Sequence, residues 1–266
     1  MDDDEKRPYY FLSTVARAVD VLNQFTGLDA ELGIAEIARR LGMHKSAVHR
    51  LVATLADLGM LTNGSSDGVY RLGTKALELG LSYLRHSPID RIAQAHLIGL
   101  AQRFPDLAFH VAILDGTEIV YQKSIAGPSA ARWLSPHTLG RRQQAYCTAL
   151  GKVLLAYLSP SELQNYLDKV QLRPFTPQTI TTTSALQAEL ETVRAQGWAF
   201  DNREFHPDHC CLGAPIRDHS GQVVAALSIV APNEELARYG QATLVAAVKE
   251  TAAAISHDLG FWRERG

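Results

Sequence analysis

"GIAEIARRLGMHKSAVHRLVATLADLGML", Gly33 to Leu61, decides how the front of this chain is read. Two short amphipathic segments meet there at a tight break. In the first, Ile34, Ile37, Ala38 and Leu41 fall on one side at helical spacing, with Glu36, Arg39 and Arg40 on the other. Gly42 ends that helix, because glycine takes the left-handed C-terminal conformation without steric cost. A further helix begins near His44, with Val48, Leu51, Val52, Leu55 and Leu58 as its apolar stripe. Its opposite face, over two turns, carries Lys45, Ser46, His49, Arg50 and Ala53. Short and multidonor side chains of this kind suit the DNA major groove, where arginine or lysine addresses guanine and phosphate alike.

Upstream, Ser13 is placed to cap a helix whose spacing buries Val15, Ala18, Val19, Leu22 and Phe25. Downstream, Gly59 stops the recognition-type helix, and "MLTNGSSDGVYRLG" supplies two short strands about a Gly- and Ser-rich turn. Helix, helix, turn, helix and hairpin make a winged helix-turn-helix, expected over residues 1–73. Spacing alone also suits a structural three-helix bundle with a merely solvated face. The residues themselves say more. "IAEIARRLGMHKSAVHRLVATLADLGML", followed by a wing and "VYRLG", resembles the IclR family of bacterial transcriptional regulators almost residue for residue. The resemblance implies that Lys45, Ser46, Ala47, His49 and Arg50 face the groove. It implies that Arg17 touches DNA backbone, and it offers Tyr70, beside Arg71 on the wing, as a phosphate contact. His44 departs from the family, which commonly has proline or another small residue at that helix start. Tyr9 and Tyr10 precede the first helix and are read as packing on the domain rather than as an arm.

Composition agrees with a soluble chain of two modest domains or one large one: 266 residues, 46% hydrophobic and 20% charged, with a net charge of −2. That net charge argues against a uniformly basic nucleic-acid coat. Its distribution is uneven, however: Lys6 to Lys75 holds nine Lys or Arg against six Asp or Glu. A slightly basic front on an acidic body fits a small DNA-binding module carried by another domain. Three cysteines, two of them adjacent, make no disulfide framework and suit a reducing, cytoplasmic setting. The start "MDDDEKRPYY" is too acidic and polar for a secretory signal, and no apolar run approaches the roughly 18 residues of a membrane helix.

"TKALELGLSYLRHS", Thr74 to Ser87, reads as a linker helix with two apolar stripes. Leu77, Gly80, Leu81 and Leu84 form one; Ala76, Leu79 and Tyr83 form the other. Such a helix needs cover from outside its own domain, and a second subunit is the economical source. Two heads at fixed spacing also suit a pseudo-palindromic operator in double-stranded DNA. The resemblance implies the same homodimer, which the family often pairs into a homotetramer. Ser87-Pro88 closes the linker.

Residues 88–266 mix helix and strand: a helix from Pro88 with Ile92, Ala95, His96 and Gly99 inward, then a hairpin turning at "DG", Asp115-Gly116. Helices follow at "TALGKVLLAYL" and "TSALQAELETVRAQG", and strands at "WAFDNREF", "CCLGAPIRD" and "VVAALSIVA". One long helix, about Glu234 to Leu259, closes the chain. The expected class is α+β, an antiparallel sheet flanked by helices. The resemblance implies an effector-binding domain with GAF- and PAS-like architecture.

No nucleophile elbow, phosphate loop, dinucleotide fingerprint or zincin helix is present, so no enzyme and no cofactor is expected. "FHPDHCC" gathers His206, His209, Cys210 and Cys211, the basis of an alternative reading as a zinc- or redox-responsive regulator. Adjacent cysteines serve one tetrahedral metal poorly, so the stretch is read as a pocket-lining strand entry and no metal site is backed. The favoured site is a helix start. "TALGKV" presents unpaired N–H groups with partial positive charge, and Gly151 leaves room for close approach. The resemblance implies that a small organic acid docks on Ala149 and Leu150, in a pocket continued by Asp201, Cys211 and Ser228. Val230, where some members have serine, removes a hydroxyl. Trp133 either lines that pocket, favouring an aromatic acid, or packs as ordinary core. "GRR", Gly140 to Arg142, is read as a solvated loop with a possible pull on an anion.

Overall fold

The computed structural model describes residues 10–27, 31–130 and 138–262. The chain divides into two compact units, Met1–His86 and Ser87–Gly266.

In the first unit, helix α1 (Ser13–Asn23) precedes a two-residue strand β1 (Leu32–Gly33), helix α2 (Ile34–Leu41) and helix α3 (Lys45–Asp57). Strands β2 (Leu61–Asn63) and β3 (Val69–Leu72) and helix α4 (Thr74–Arg85) complete it. Val21, Phe25, Ile37, Val48, Val52 and Leu55 make the core. Gly42 caps α2 in the left-handed region at φ 62, as its sequence position demands. The hairpin β2–β3 gains β1 as a third strand, in the order β1-β3-β2. Glu31 accepts from the Ser65 hydroxyl at 2.6 Å and so ties the wing turn down.

Helix α1 corrects two expectations. Ser13 is its first residue rather than its cap; Leu12 holds that position with no side-chain bond. Val15 and Val19 are exposed, at 57% and 49%, while Val21 is fully buried. The buried stripe runs through Ala18, Val21, Leu22 and Phe25, so the helix is rotated from the predicted phase. On α4 no residue is buried, and Leu77, Leu79, Leu81 and Tyr83 are all exposed.

The second unit begins with helix α5 (Pro88–Arg103), followed by the hairpin of β4 (Ala108–Asp115) and β5 (Glu118–Ala126). Next come β6 (Arg142–Gln144), α6 (Ala149–Ala156), α7 (Pro160–Leu167) and α8 (Thr183–Gln196). Strands β7 (Ala199–Asn202), β8 (His209–Arg217) and β9 (Val223–Pro232) lead to α9 (Asn233–Tyr239) and α10 (Gln241–Asp258). All six strands form one antiparallel sheet in the order β6-β5-β4-β9-β8-β7.

Strand alternation sorts the sheet into two faces. Phe109, Val111, Leu212, Leu227 and Ile229 pack with α5 and α10 in one core. Ala112, Tyr121, Ala199 and Ala226 pack with α6 and α8 in another. The α6 face also receives the polar strand residues His110, Cys211 and Ser228, which sets up the cavity described below.

Five local readings change. Helix α5 buries Ala93, Leu97, Leu100 and Ala101; Ala95 and Gly99 are exposed, and His96 reaches Asp258 at 2.8 Å. The hairpin turns on Gly116 and Thr117, since Asp115 pairs with Glu118. The long terminal helix is broken at Gly240, whose φ of 79 and ψ of 133 no helix accommodates. Strand β6 stands where a loop was expected, and α7, with its Ser159/Glu162 capping box, was not anticipated.

Candidate functional site

Two surfaces carry the candidate residues. On α3, Lys45, Ser46, His49 and Arg50 are exposed and Ala47 is half-buried. They share one face because Val48, Val52 and Leu55 fix the other in the core. Among the described residues, Lys45, His49 and Arg50 enter no ion pair, so their donors are open to a polyanion. The α2 arginines differ: Arg39 and Arg40 each meet Glu36 at 2.6 Å, and their guanidiniums hold its carboxyl well below the usual range. Arg17 is exposed on α1. Tyr70 lies on the central strand β3 and packs partly against the core, which leaves it only half-accessible.

The second surface is a cavity of about 320 Å³ on the α6 face of the large sheet. Ala149, Leu150, Asp201, Cys211, Ser228 and Val230 all line it. Trp133 lies outside the described residues. Sequence reasoning missed His110, Tyr121, Gln143, Thr148 and Phe205 and left Arg141 on a solvated loop, while His206 and His209, in the stretch read as a pocket-lining strand entry, do line the cavity. The signal for His110 was available: a lone histidine inside the apolar run "FHVAIL" alternates onto the face opposite Phe109 and Val111.

The start of α6 forms one wall. Thr148 caps it by accepting the Gly151 N–H at 3.1 Å. The Lys152 N–H takes the Thr148 carbonyl at 2.9 Å, so Ala149 and Leu150 keep N–H groups without an intrahelical partner. Two glycines permit this placement. A Cβ at Gly213 would meet the Ala149 carbonyl oxygen at 2.9 Å, and one at Gly151 would meet the Ala145 oxygen at 2.1 Å. From its interior, α6 sends Lys152 into a buried cluster, 2.6 Å from Glu204 and 2.7 Å from Glu189, with the Phe200 carbonyl as third acceptor.

The floor is polar but uncharged. His110 and Ser228 face each other across β4 and β9, 4% and 1% exposed, and neither His110 Nδ1 nor Ser228 Oγ has a partner among the described residues. Burial lowers the His110 pKa to about 4, so the ring is neutral at pH 7. Tyr121 stacks edge-on against it, with centroids 5.2 Å apart, and donates its hydroxyl to Gln143 at 2.7 Å.

Asp201 is the sole carboxylate among the described lining residues. Its Oδ1 accepts the Glu204 N–H at 2.7 Å. Desolvation, reinforced by the Glu204 carboxylate, pushes its pKa up to about 7. Burial and the neighbouring Asp201 also push the Cys211 thiol well up, so it remains S–H and offers a soft wall rather than a nucleophile.

The His206/His209/Cys210/Cys211 cluster is split: His206 and His209 line the cavity with their Nδ1 atoms 3.1 Å apart, but the two cysteines point to opposite faces of β8. Cys211 faces the cavity, while Cys210, on the other side of β8, approaches Asn233 Oδ1 at 3.4 Å. Among the described residues, no group of three or more His, Cys, Asp or Glu is arranged to hold a metal ion. No helix among them is long and apolar enough to cross a membrane.

Together these elements define a head with a helix-turn-helix followed by a unit with a ligand-sized cavity. The pattern of the IclR helix-turn-helix domain matches residues 14–64, and that of the bacterial transcriptional regulator IclR C-terminal domain matches residues 81–257. The chain is 33% identical over 250 residues to the HTH-type transcriptional regulator XynR of Escherichia coli (strain K12), covering 94% of this chain and 98% of that one. The crystal structure of Thermotoga maritima IclR superposes with a TM-score of 0.70 at 32% identity, over 94% of this chain and 100% of the other. An IclR homologue from Microbacterium hydrocarbonoxydans, crystallised with 4-hydroxybenzoate, gives a TM-score of 0.79 at 27% identity, over 92% and 98% of the two chains. This chain belongs to the IclR family of bacterial transcriptional regulators; it is a DNA-binding regulator with an effector domain.

Proposed function

We propose that this regulator senses a small organic acid, held in the cavity of the second unit, and changes its hold on operator DNA in response. The observation that carries this reading is the pairing of an open helix start with two buried orphans. Among the described residues, Ala149 and Leu150 present N–H groups without an intrahelical partner, and beside them His110 Nδ1 and Ser228 Oγ have no partner. A buried polar group left unbonded costs about 1–3 kcal/mol, so an occupant that satisfies these groups is favoured by their completion. A carboxylate fits the helix start, where partial positive charge favours anions. Asp201, held mostly protonated below about pH 7, then serves as a donor or accepts a ligand hydroxyl without strong repulsion. A related protein crystallised with 4-hydroxybenzoate supports an acid of this class.

The division of labour follows the sequence boundaries: residues 1–73 read DNA, 74–87 form the dimerising linker, and 88–266 bind effector. Lys45, Ser46, Ala47, His49 and Arg50 enter the major groove, while Arg17 and Tyr70 meet the backbone. The exposed leucines of α4 are covered by a second copy of the chain, which sets two heads on a pseudo-palindromic operator. Effector and operator are coupled by roughly 1–3 kcal/mol, the usual range for allosteric proteins.

Calorimetry with a panel of small organic acids tests this reading on the wild type, Ser228→Val and Asp201→Ala. Tight binding of an acid, weakened by either substitution, is expected. A wild type that prefers neutral or cationic ligands, or unchanged affinity in both variants, would overturn it.

A further inference from the structure

The cavity holds a permanent cation that monoacid binding at α6 leaves unused. Arg141 lines it, is exposed, and has no carboxylate partner among the described residues. Its neighbour Arg142 is the contrast, since Asp115 and Glu118 both pair with it. Backbone bonds fix Arg141 opposite Tyr121: the Tyr121 N–H donates to the Arg141 carbonyl at 3.1 Å, and the Gly140 N–H to the Tyr121 carbonyl at 2.8 Å. Arg141 therefore stands on the outer side of β5, while the start of α6 sits on Gly213 of β8.

Four strand spacings separate those two lines, about 19 Å along the sheet at ~4.8 Å each, shortened by the curl of the sheet and the reach of the arginine side chain. His110 and Ser228, on β4 and β9, lie between them with unpartnered polar atoms. Asp201 sits on β7, at the opposite side of the sheet from Arg141. The positive ends of the cavity are thus set apart across the strands, and its carboxylate lies far from one of them.

We infer that Arg141 is a second anion subsite and that the effector is a dicarboxylic acid, one end on the Ala149 and Leu150 N–H groups and the other on Arg141. This rests on the organic-acid reading given above and adds the ligand class. The chain between the carboxylates runs across β9 and β4, where His110 and Ser228 meet an oxygen substituent on it. A monoacid of the same length leaves Arg141 in water. Lysine would supply the charge but not the forked pair of donors that matches a carboxylate.

Calorimetry on the full-length protein compares succinate, adipate and suberate with butyrate, hexanoate and octanoate. At least one diacid should bind tenfold or more tightly than its length-matched monoacid. Arg141→Met should erase that advantage while leaving monoacid affinity within twofold, and Arg141→Lys should restore part of it. Because Arg141 is exposed, both variants are expected to fold, with an unchanged melting temperature as the check. Monoacids that bind as well as diacids, or an advantage that survives Arg141→Met, would overturn the second subsite and leave the acid reading standing. Failure of every acid of both kinds to bind would overturn both.

Discussion

Asp201 makes the second unit sensitive to pH in a direction that is easily measured. Its carboxyl is 2% exposed and titrates near 7, against 3.8 for an unperturbed aspartate. Below pH 3.8 both folded and unfolded chains hold the proton, and the group has no effect. Between 3.8 and about 7 the unfolded chain releases a proton that the folded chain keeps, so stability falls as pH rises. Above 7 the loss is complete. At 1.36 kcal/mol per unit, the two units from pH 5 to pH 7 amount to about 3 kcal/mol. Asp201→Asn keeps an oxygen for the Glu204 N–H and removes the titration. Urea unfolding of both proteins without ligand, at half-unit steps from pH 5 to pH 8, reads the difference. His110 has the opposite tendency: its pKa is lowered to about 4, so its contribution is lost as pH falls from 6.5. Both proteins share that term, and it cancels in the comparison. The wild type should lose about 3 kcal/mol relative to Asp201→Asn across the range. Parallel profiles would refute the claim that burial holds this carboxyl neutral.

Three further outcomes are expected. Arg50→Ala should leave the melting temperature unchanged and weaken specific operator binding by about 1–3 kcal/mol per half-site in gel-shift titrations; wild-type affinity would remove it from the groove. Leu81→Glu, placed on a residue 44% exposed on α4, should turn a dimer into a monomer by light scattering and weaken operator binding with it. A monomeric wild type at micromolar concentration would end that argument. Gly213→Ala puts a methyl 2.9 Å from the Ala149 carbonyl oxygen and should lower stability by about 1–3 kcal/mol while lifting the α6 start away from the acid; an unchanged melting temperature and affinity would count against the seating of α6 on β8.

The helix-turn-helix was legible because it is local. Ile34, Ile37, Ala38 and Leu41 repeat at helical spacing and Gly42 punctuates them, and none of this depends on distant parts of the chain. Phase was less secure where valines crowd a helix: Val15, Val19 and Val21 all compete for the core, and only Val21 reaches it. In the second unit the strands other than β6 were legible and the cavity only in part. Ala149, Leu150, Asp201, Cys211, Ser228 and Val230 were named from a resemblance, and they do line one cavity. Alternation could have given the face of His110, but its place between Tyr121 and Ser228 required knowing that β4 lies between β5 and β9, a long-range pairing that periodicity does not express. Gly240 was passed over for a related reason: glycine inside an apolar helical pattern is often tolerated, and only its backbone angles mark the break.

The cluster around Lys152 gives this protein an internal chemical clock. Its amine is 1% exposed and its donors are taken by Glu189, Glu204 and the Phe200 carbonyl. Amine-reactive reagents need a free lone pair and an open path, and this lysine offers neither while the cluster is closed. The exposed lysines, Lys45 and Lys75 among them, will be labelled first. Lys152 will be labelled at the rate at which its surroundings open, so mass spectrometry of a timed acetylation series reads that opening from one peptide. Because α6 carries both this lysine and the open N–H groups at its start, an occupant that steadies the helix will slow the clock.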